Sequence, residues 1–173
     1  TKAIEYDVVE SVQIIFNPLR QRPAERFFER AKHEDVGVIV RVPLASGLLA
    51  DAIHDVENLA EDDHRRIAAE EGVDAGVGRK GGETFAGVPF ESGLDAVEDM
   101  RRLVPDEATM AQFTLRWVLD FDAVSTVIPG STSPEHVREN IAAAELAPLS
   151  HETHGAVRDI YEAHVHDFVH HRW

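Results

Sequence analysis

The chain has 173 residues, enough for one domain with a real core. Its 32 acidic residues against 17 basic ones give a net charge of −15, which excludes the basic face that nucleic-acid binding needs. Cysteine is absent, so disulfides, thiolate metal sites and cysteine nucleophiles are excluded, and no apolar run approaches the roughly 18 residues that span a bilayer.

Only three basic residues are lysines: Lys2, Lys32 and Lys80. An acidic, lysine-poor surface predicts a halophilic protein, kept soluble at high salt where charge self-repulsion is screened. The plainer alternative is an acidic cytosolic protein. No signal-peptide pattern opens the sequence, so a soluble, cytoplasmic chain without membrane or nucleic-acid partners is expected.

Residues 1–11 resemble the tail of a helix with no cap before it. Residues 11–16, SVQIIF, are β-branched and apolar and predict a strand that Asn17-Pro18 ends. Arg22-Pro23 opens a helix over residues 24–33, with Phe27, Phe28 and Ala31 on one side. A turn at Asp35-Val36-Gly37 leads to a second strand over residues 37–43, nearly continuous in apolar residues as for a strand covered on both faces. A loop over residues 44–49 follows.

Residues 50–93 read as a loop-rich insertion after that strand. A polar helix is expected over residues 60–71, with Glu61-Asp62-Asp63 as a solvated face. The glycine-rich part contains Gly76-Val77-Gly78-Arg79-Lys80-Gly81, a match to GxGxxG. The dinucleotide fingerprint needs a strand before it and a helix after it, and neither is predicted here, so a surface loop is expected. Two helices follow, over residues 94–103 and 109–119.

Residues 124–128, VSTVI, form the third predicted strand. Pro129-Gly130 ends it, Ser131-Thr132-Ser133 turns, and Pro134 starts a helix over residues 134–144 with Ser133 as N-cap. Free amides and a helix dipole then converge on one spot. The stretch is either an anion site or an ordinary, well-capped strand–turn–helix. Pro148 breaks the chain before a last helix over residues 152–168. His166 and His170 are spaced to share a face of it as zinc ligands do, but no third ligand is specified, and no metal is predicted.

Strands alternating with helices predict parallel βα units. Three such strands leave two exposed edges, which a lone domain should not tolerate. The predicted fold class is α/β: a partial (β/α)8 TIM barrel, its last three βα units plus a C-terminal helix, from a fold that takes about 250 residues when complete.

From Val9 to Leu149 the sequence resembles the aldo-keto reductase family, NAD(P)H-dependent oxidoreductases built on a (β/α)8 barrel. VQIIFN at residues 12–17 resembles strand six. VIVRVPLASGLL at residues 38–49 resembles strand seven and its loop. Residues 113–119 and 128–140 resemble the seventh helix, strand eight and the eighth helix. Residues 1–173 are then the C-terminal portion of such a domain. The resemblance implies that Gln13 bonds the nicotinamide carboxamide; a lone amide in a strand of Val and Ile must find a partner there or elsewhere in the core. It implies that Val42, Leu44 and Ser46 surround the pyrophosphate and nicotinamide, that Ser131 binds the adenosine 2′-phosphate, and that Glu139 and Asn140 hold the adenine. Three positions depart from the pattern. Arg41 stands where a stacking Tyr is frequent, Gly130 where a Lys is common, and His136 where an Arg clamps the 2′-phosphate. NADP is the expected cofactor, with NAD possible because two fixed cations are missing.

The family's catalytic Asp, Tyr, Lys and His lie on strands earlier than Gln13, and none maps onto this chain. The expected function is the cofactor-binding part of a reductase that transfers hydride to an aldehyde or ketone, with the small carbonyl substrate bound only alongside the missing N-terminal half. The alternatives are a non-catalytic partial barrel that pairs with another chain or with itself through its sheet edges, and an inactive gene fragment.

Overall fold

A computed structural model describes residues 2–71 and 83–172. Strands β1 (Ser11–Ile15), β2 (Gly37–Arg41) and β3 (Val124–Val127) form one parallel sheet in the order β1-β2-β3. Val12 sits beside Val38 and Gln13 beside Ile39, while a register shift between Val38 and Ile39 sets Ile39 beside Thr126. Helix α1 (Pro23–His33) connects β1 to β2, and α4 (Met110–Leu119) leads into β3.

One face of the sheet is covered. Val38 and Val40 are fully buried, and an aromatic cluster fills the space beneath the helices: Phe16 meets Phe28 edge-on at 4.6 Å and stacks on Trp117 at 5.0 Å. Phe27, Phe28 and Ala31 of α1 are buried as their spacing predicts. The opposite face is open: Ser11, Gln13 and Thr126 are exposed and Ile39 is half-buried.

Between β2 and α4 lie α2 (His64–Glu71) and α3 (Phe90–Arg101). The latter begins four residues before the expected start, because Pro89 supplies an extended N-cap and Gly93 is tolerated inside the helix. That glycine is needed for packing, since a Cβ there would stand 2.7 Å from Leu48 Cδ1. The GxGxxG match at residues 76–81 lies outside the described residues.

After β3 come α5 (Pro134–Ala142), α6 (His151–His164) and α7 (His166–Val169). The single last helix expected from the sequence is thus two. Val165 leaves helical geometry at φ −132° and is buried, which breaks the rod. At the start of the chain, residues Lys2–Glu5 form a 3-10 turn whose Ile4 is buried. No described helix is long and apolar enough to cross a membrane.

Candidate functional site

The strands are parallel, so their C-terminal ends share one end of the sheet, and the residues singled out in sequence lie at or near those ends. At the exit of β3, the Ile128 amide donates to Val40 O at 3.0 Å and carries the ladder one step further. Ser133 caps α5 as predicted: its Oγ accepts the His136 amide at 3.2 Å, and Pro134 stands at the first turn. Asn140 Nδ2 reaches back to Ser131 Oγ at 3.1 Å. Thr132 Oγ1 and His136 Nδ1 lie 3.4 Å apart. Glu139 takes part through its backbone, whose carbonyl accepts Gln112 Nε2 at 3.4 Å, while its side chain is exposed. A Cβ on Gly130 would meet nothing within 4 Å, so open space lies before this turn. Ser131, before α5, and Asn140, in its last turn, are brought together by this bond although nine residues apart.

At the exit of β2, Val42 (φ 53°), Ala45 (φ 46°), Ser46 (φ 57°) and Gly47 (φ 109°) all occupy left-handed backbone. A β-branched residue in that region is an outlier that its surroundings must enforce. Asn17 supplies part of the enforcement. It is fully buried just past β1, donates from Nδ2 to Val42 O at 2.8 Å, and accepts the Leu19 amide on Oδ1 at 2.9 Å. Arg41 and Leu44 are half-buried here. Ser46 Oγ accepts the Phe85 amide at 3.2 Å, which ties this turn to residues 83–88.

Gln13 stands on the open face of the sheet and is exposed. Burial is not what obliges its amide to find a protein partner, because water reaches it. Sequence reasoning passed over Asn17 and Arg20. Asn17 was legible only as the Asn-Pro that stops a strand, and Arg20 lacked any local signal of burial.

Neither tyrosine lies at the strand ends. Tyr6 is exposed in the N-terminal segment. Tyr161 is buried in α6, its hydroxyl 3.1 Å from His170 Nδ1, and burial pushes its pKa up to about 12. His166 and His170 face each other as stacked rings 4.2 Å apart. Among the described residues, no group of three or more potential ligands is placed to hold a metal. A cleft of about 250 Å³ lined by Phe28, Lys32 and Asp122 lies beside the N-terminal end of β3, away from this site.

The model of the aldo/keto reductase family matches residues 2–162. The chain belongs to the aldo/keto reductase family. It is 28% identical over 161 residues to the uncharacterized oxidoreductase YqkF of Bacillus subtilis (strain 168), covering 90% of this chain and 46% of that protein. It is 26% identical over 158 residues to aldo-keto reductase str7 of Strobilurus tenacellus, with 89% and 43% covered. Among solved structures, the holo form of aldo-keto reductase AKR11C1 from Bacillus halodurans superposes with a TM-score of 0.63 at 21% identity, over 92% of this chain and 45% of that one. The glycerol dehydrogenase AKR11B4 from Gluconobacter oxydans superposes with a TM-score of 0.67 at 22% identity, over 90% and 43%. The chain therefore spans somewhat less than half the length of these relatives, and the three-stranded sheet is part of an aldo-keto reductase TIM barrel, as its alternating elements predict.

Proposed function

We propose that this aldo/keto reductase chain is the C-terminal, nucleotide-binding part of an NAD(P)H-dependent carbonyl reductase. The observation that carries the proposal is the Asn140–Ser131 hydrogen bond, which ties the last turn of α5 to the turn just before its capped start. It gathers a hydroxyl and a side-chain amide beside a capped helix start at one strand end, where barrels of this kind often hold a phosphate. That donor set fits a dinucleotide. Ser131, beside the Glu135 amide, would hold the 2′-phosphate, Asn140 and Glu139 the adenine, and Val42, Leu44 and Ser46 the pyrophosphate. Arg41 would lie against the nicotinamide and Gln13 would bond its carboxamide.

When bound, the cofactor supplies the hydride. The chain's own residues orient it, and the proton donor comes from elsewhere in the complete barrel. NADP is the proposed cofactor because Ser131 offers a hydroxyl to an extra phosphate, but the two fixed cations are absent: Gly130 leaves open space where a Lys is common, and His136 stands where an Arg is common. The high-salt habitat belongs to the same proposal and rests on the −15 charge together with only three lysines; a cytoplasmic location is part of the same reading. The open sheet face favours a second possibility, a partial barrel completed by another chain, because Gln13 and Thr126 stand uncovered there.

Titration with NADPH, followed by the cofactor's own fluorescence, tests the proposal. Trp117 is a poor reporter, being packed against Phe16 and His154. Saturable enhancement that is lost in Ser131→Ala and Asn140→Ala is expected. No binding at millimolar NADPH in high salt would remove the cofactor claim.

A further inference from the structure

Three consecutive buried residues, Phe85, Ala86 and Gly87, hold positive φ angles of 55°, 59° and 81°. Two of them are not glycine, and a non-glycine residue in this region is strained. Such residues persist only where their surroundings over-determine them. Here the surroundings include Arg20, just past β1 and only 1% exposed. Its Nη1 donates to Ala86 O at 2.7 Å and its Nη2 to Glu83 Oε1 at 3.0 Å. Gly87 presses on the same guanidinium, since a Cβ there would come within 3.3 Å of Nη1.

A buried charge with two charge-assisted bonds in fixed directions is a rigid anchor. Its hold is passed on. With Ala86 fixed, the Phe85 amide is fixed, and it donates to Ser46 Oγ at 3.2 Å. A serine oxygen that accepts this bond still has its own proton to give, in a direction the accepted bond restricts. Ser46 is in turn set in a left-handed turn with Ala45 and Gly47.

We propose that Arg20 is a positioning residue for the nucleotide site: it clamps residues 83–87 so that the Phe85 amide aims the Ser46 hydroxyl at the cofactor's pyrophosphate. This rests on the cofactor assignment above. Arg20 itself stays buried and touches no ligand. The advantage is preorganisation, since the Ser46 rotor and its strained turn are ordered before the cofactor arrives.

The test is a double-mutant cycle in NADPH affinity on the full chain, read by cofactor fluorescence. Arg20→Lys keeps the charge but cannot hold both Ala86 O and Glu83 in the same fork. It is expected to weaken NADPH about tenfold, as is Ser46→Ala, because each loses the same prepositioned bond. The double variant is expected to be little worse than either single one, since the two residues act as one unit. A merely structural Arg20 would give losses that add. If Arg20→Lys does not fold, Glu83→Gln enters the same cycle, and its loss too must fail to add to that of Ser46→Ala. Wild-type binding with unchanged affinity in R20K, or additive losses, overturns this inference alone. Absence of NADPH binding in the wild type overturns the cofactor assignment and this inference together.

Discussion

Asp63 accepts the Arg65 amide on Oδ1 at 2.9 Å and the Arg65 guanidinium on both oxygens, at 2.6 Å for the shortest contact. The guanidinium holds its pKa down at about 2. Its carbonyl also accepts the Ile67 amide, so it caps α2. A depressed carboxylate pKa stabilises the fold above the ordinary value of 3.8, and the gain is lost as pH falls through about 2. Asparagine caps a helix as well as aspartate, so Asp63→Asn removes only the charge and should cost up to about 1 kcal/mol at neutral pH. The gap between wild type and variant in denaturant midpoints should shrink as pH falls from 4 to 2; a gap undiminished at pH 2 would refute the ion-pair origin. At this scale the sequence was partly legible. Ser133 could be read as a cap because Pro134 follows it and a strand precedes it. Asp63 could not, because a run of acidic residues has the same pattern whether or not one of them turns inward to an arginine two positions on. Gln13 shows the reverse failure: a polar residue between Val and Ile signals burial, but the face it occupies is open in this part of the barrel.

At the scale of elements, apolar runs found every described strand and periodicity the cores of α1 and α4, because the sheet and its helices cover an apolar side of each; α5, which buries no residue, was legible from its Ser133-Pro134 start instead. Periodicity failed where packing overrides local pattern. Val165 continues the apolar spacing of α6, yet it is pulled into the core and splits α6 from α7. The joint is held by Tyr161, whose hydroxyl meets His170 Nδ1 at 3.1 Å, while His170 Nε2 stands 3.5 Å from Glu25 of α1. Burial first, then Glu162 and Glu25, pushes the Tyr161 pKa from 10.0 to about 12. The folded state thus disfavours the phenolate more than the unfolded state does. Stability contributed by the neutral phenol is complete below pH 10 and declines as pH rises toward 12. Tyr161→Phe should be slightly less stable than wild type at neutral pH, by about 1 kcal/mol for the lost hydrogen bond. Above pH 10 it should lose stability less steeply. Thermal melts at pH 8 and pH 11 decide this: equal alkaline losses in the two proteins would show that Tyr161 ionisation is not coupled to folding.

Across the whole molecule, two opposing features meet. β1 and β3 each pair only with β2 among the described strands, so each presents an unpaired edge. Beside the β3 edge, Ile128 is 46% exposed, and α5 buries none of its residues, with Val137 and Ile141 left 45% and 63% exposed at i,i+4 spacing. Apolar groups grouped along an unpaired strand favour association. The net charge of −15 opposes it, because any contact between copies brings like charges together. Screening decides which wins. The Debye length is about 10 Å at 0.1 M salt and about 3 Å at 1 M, so repulsion between copies fades while apolar attraction is retained. The chain should therefore sediment near its monomer mass of 19.2 kDa at low salt and as larger species at molar salt. Substituting Val137 and Ile141 together by Glu should reduce the high-salt species, because it adds charge to the face that associates. Sedimentation velocity across a salt series measures both. A sharp monomer at every salt concentration would mean that the edges are sheltered in solution, and association that weakens with salt would mean that ion pairs rather than this apolar face hold the copies together.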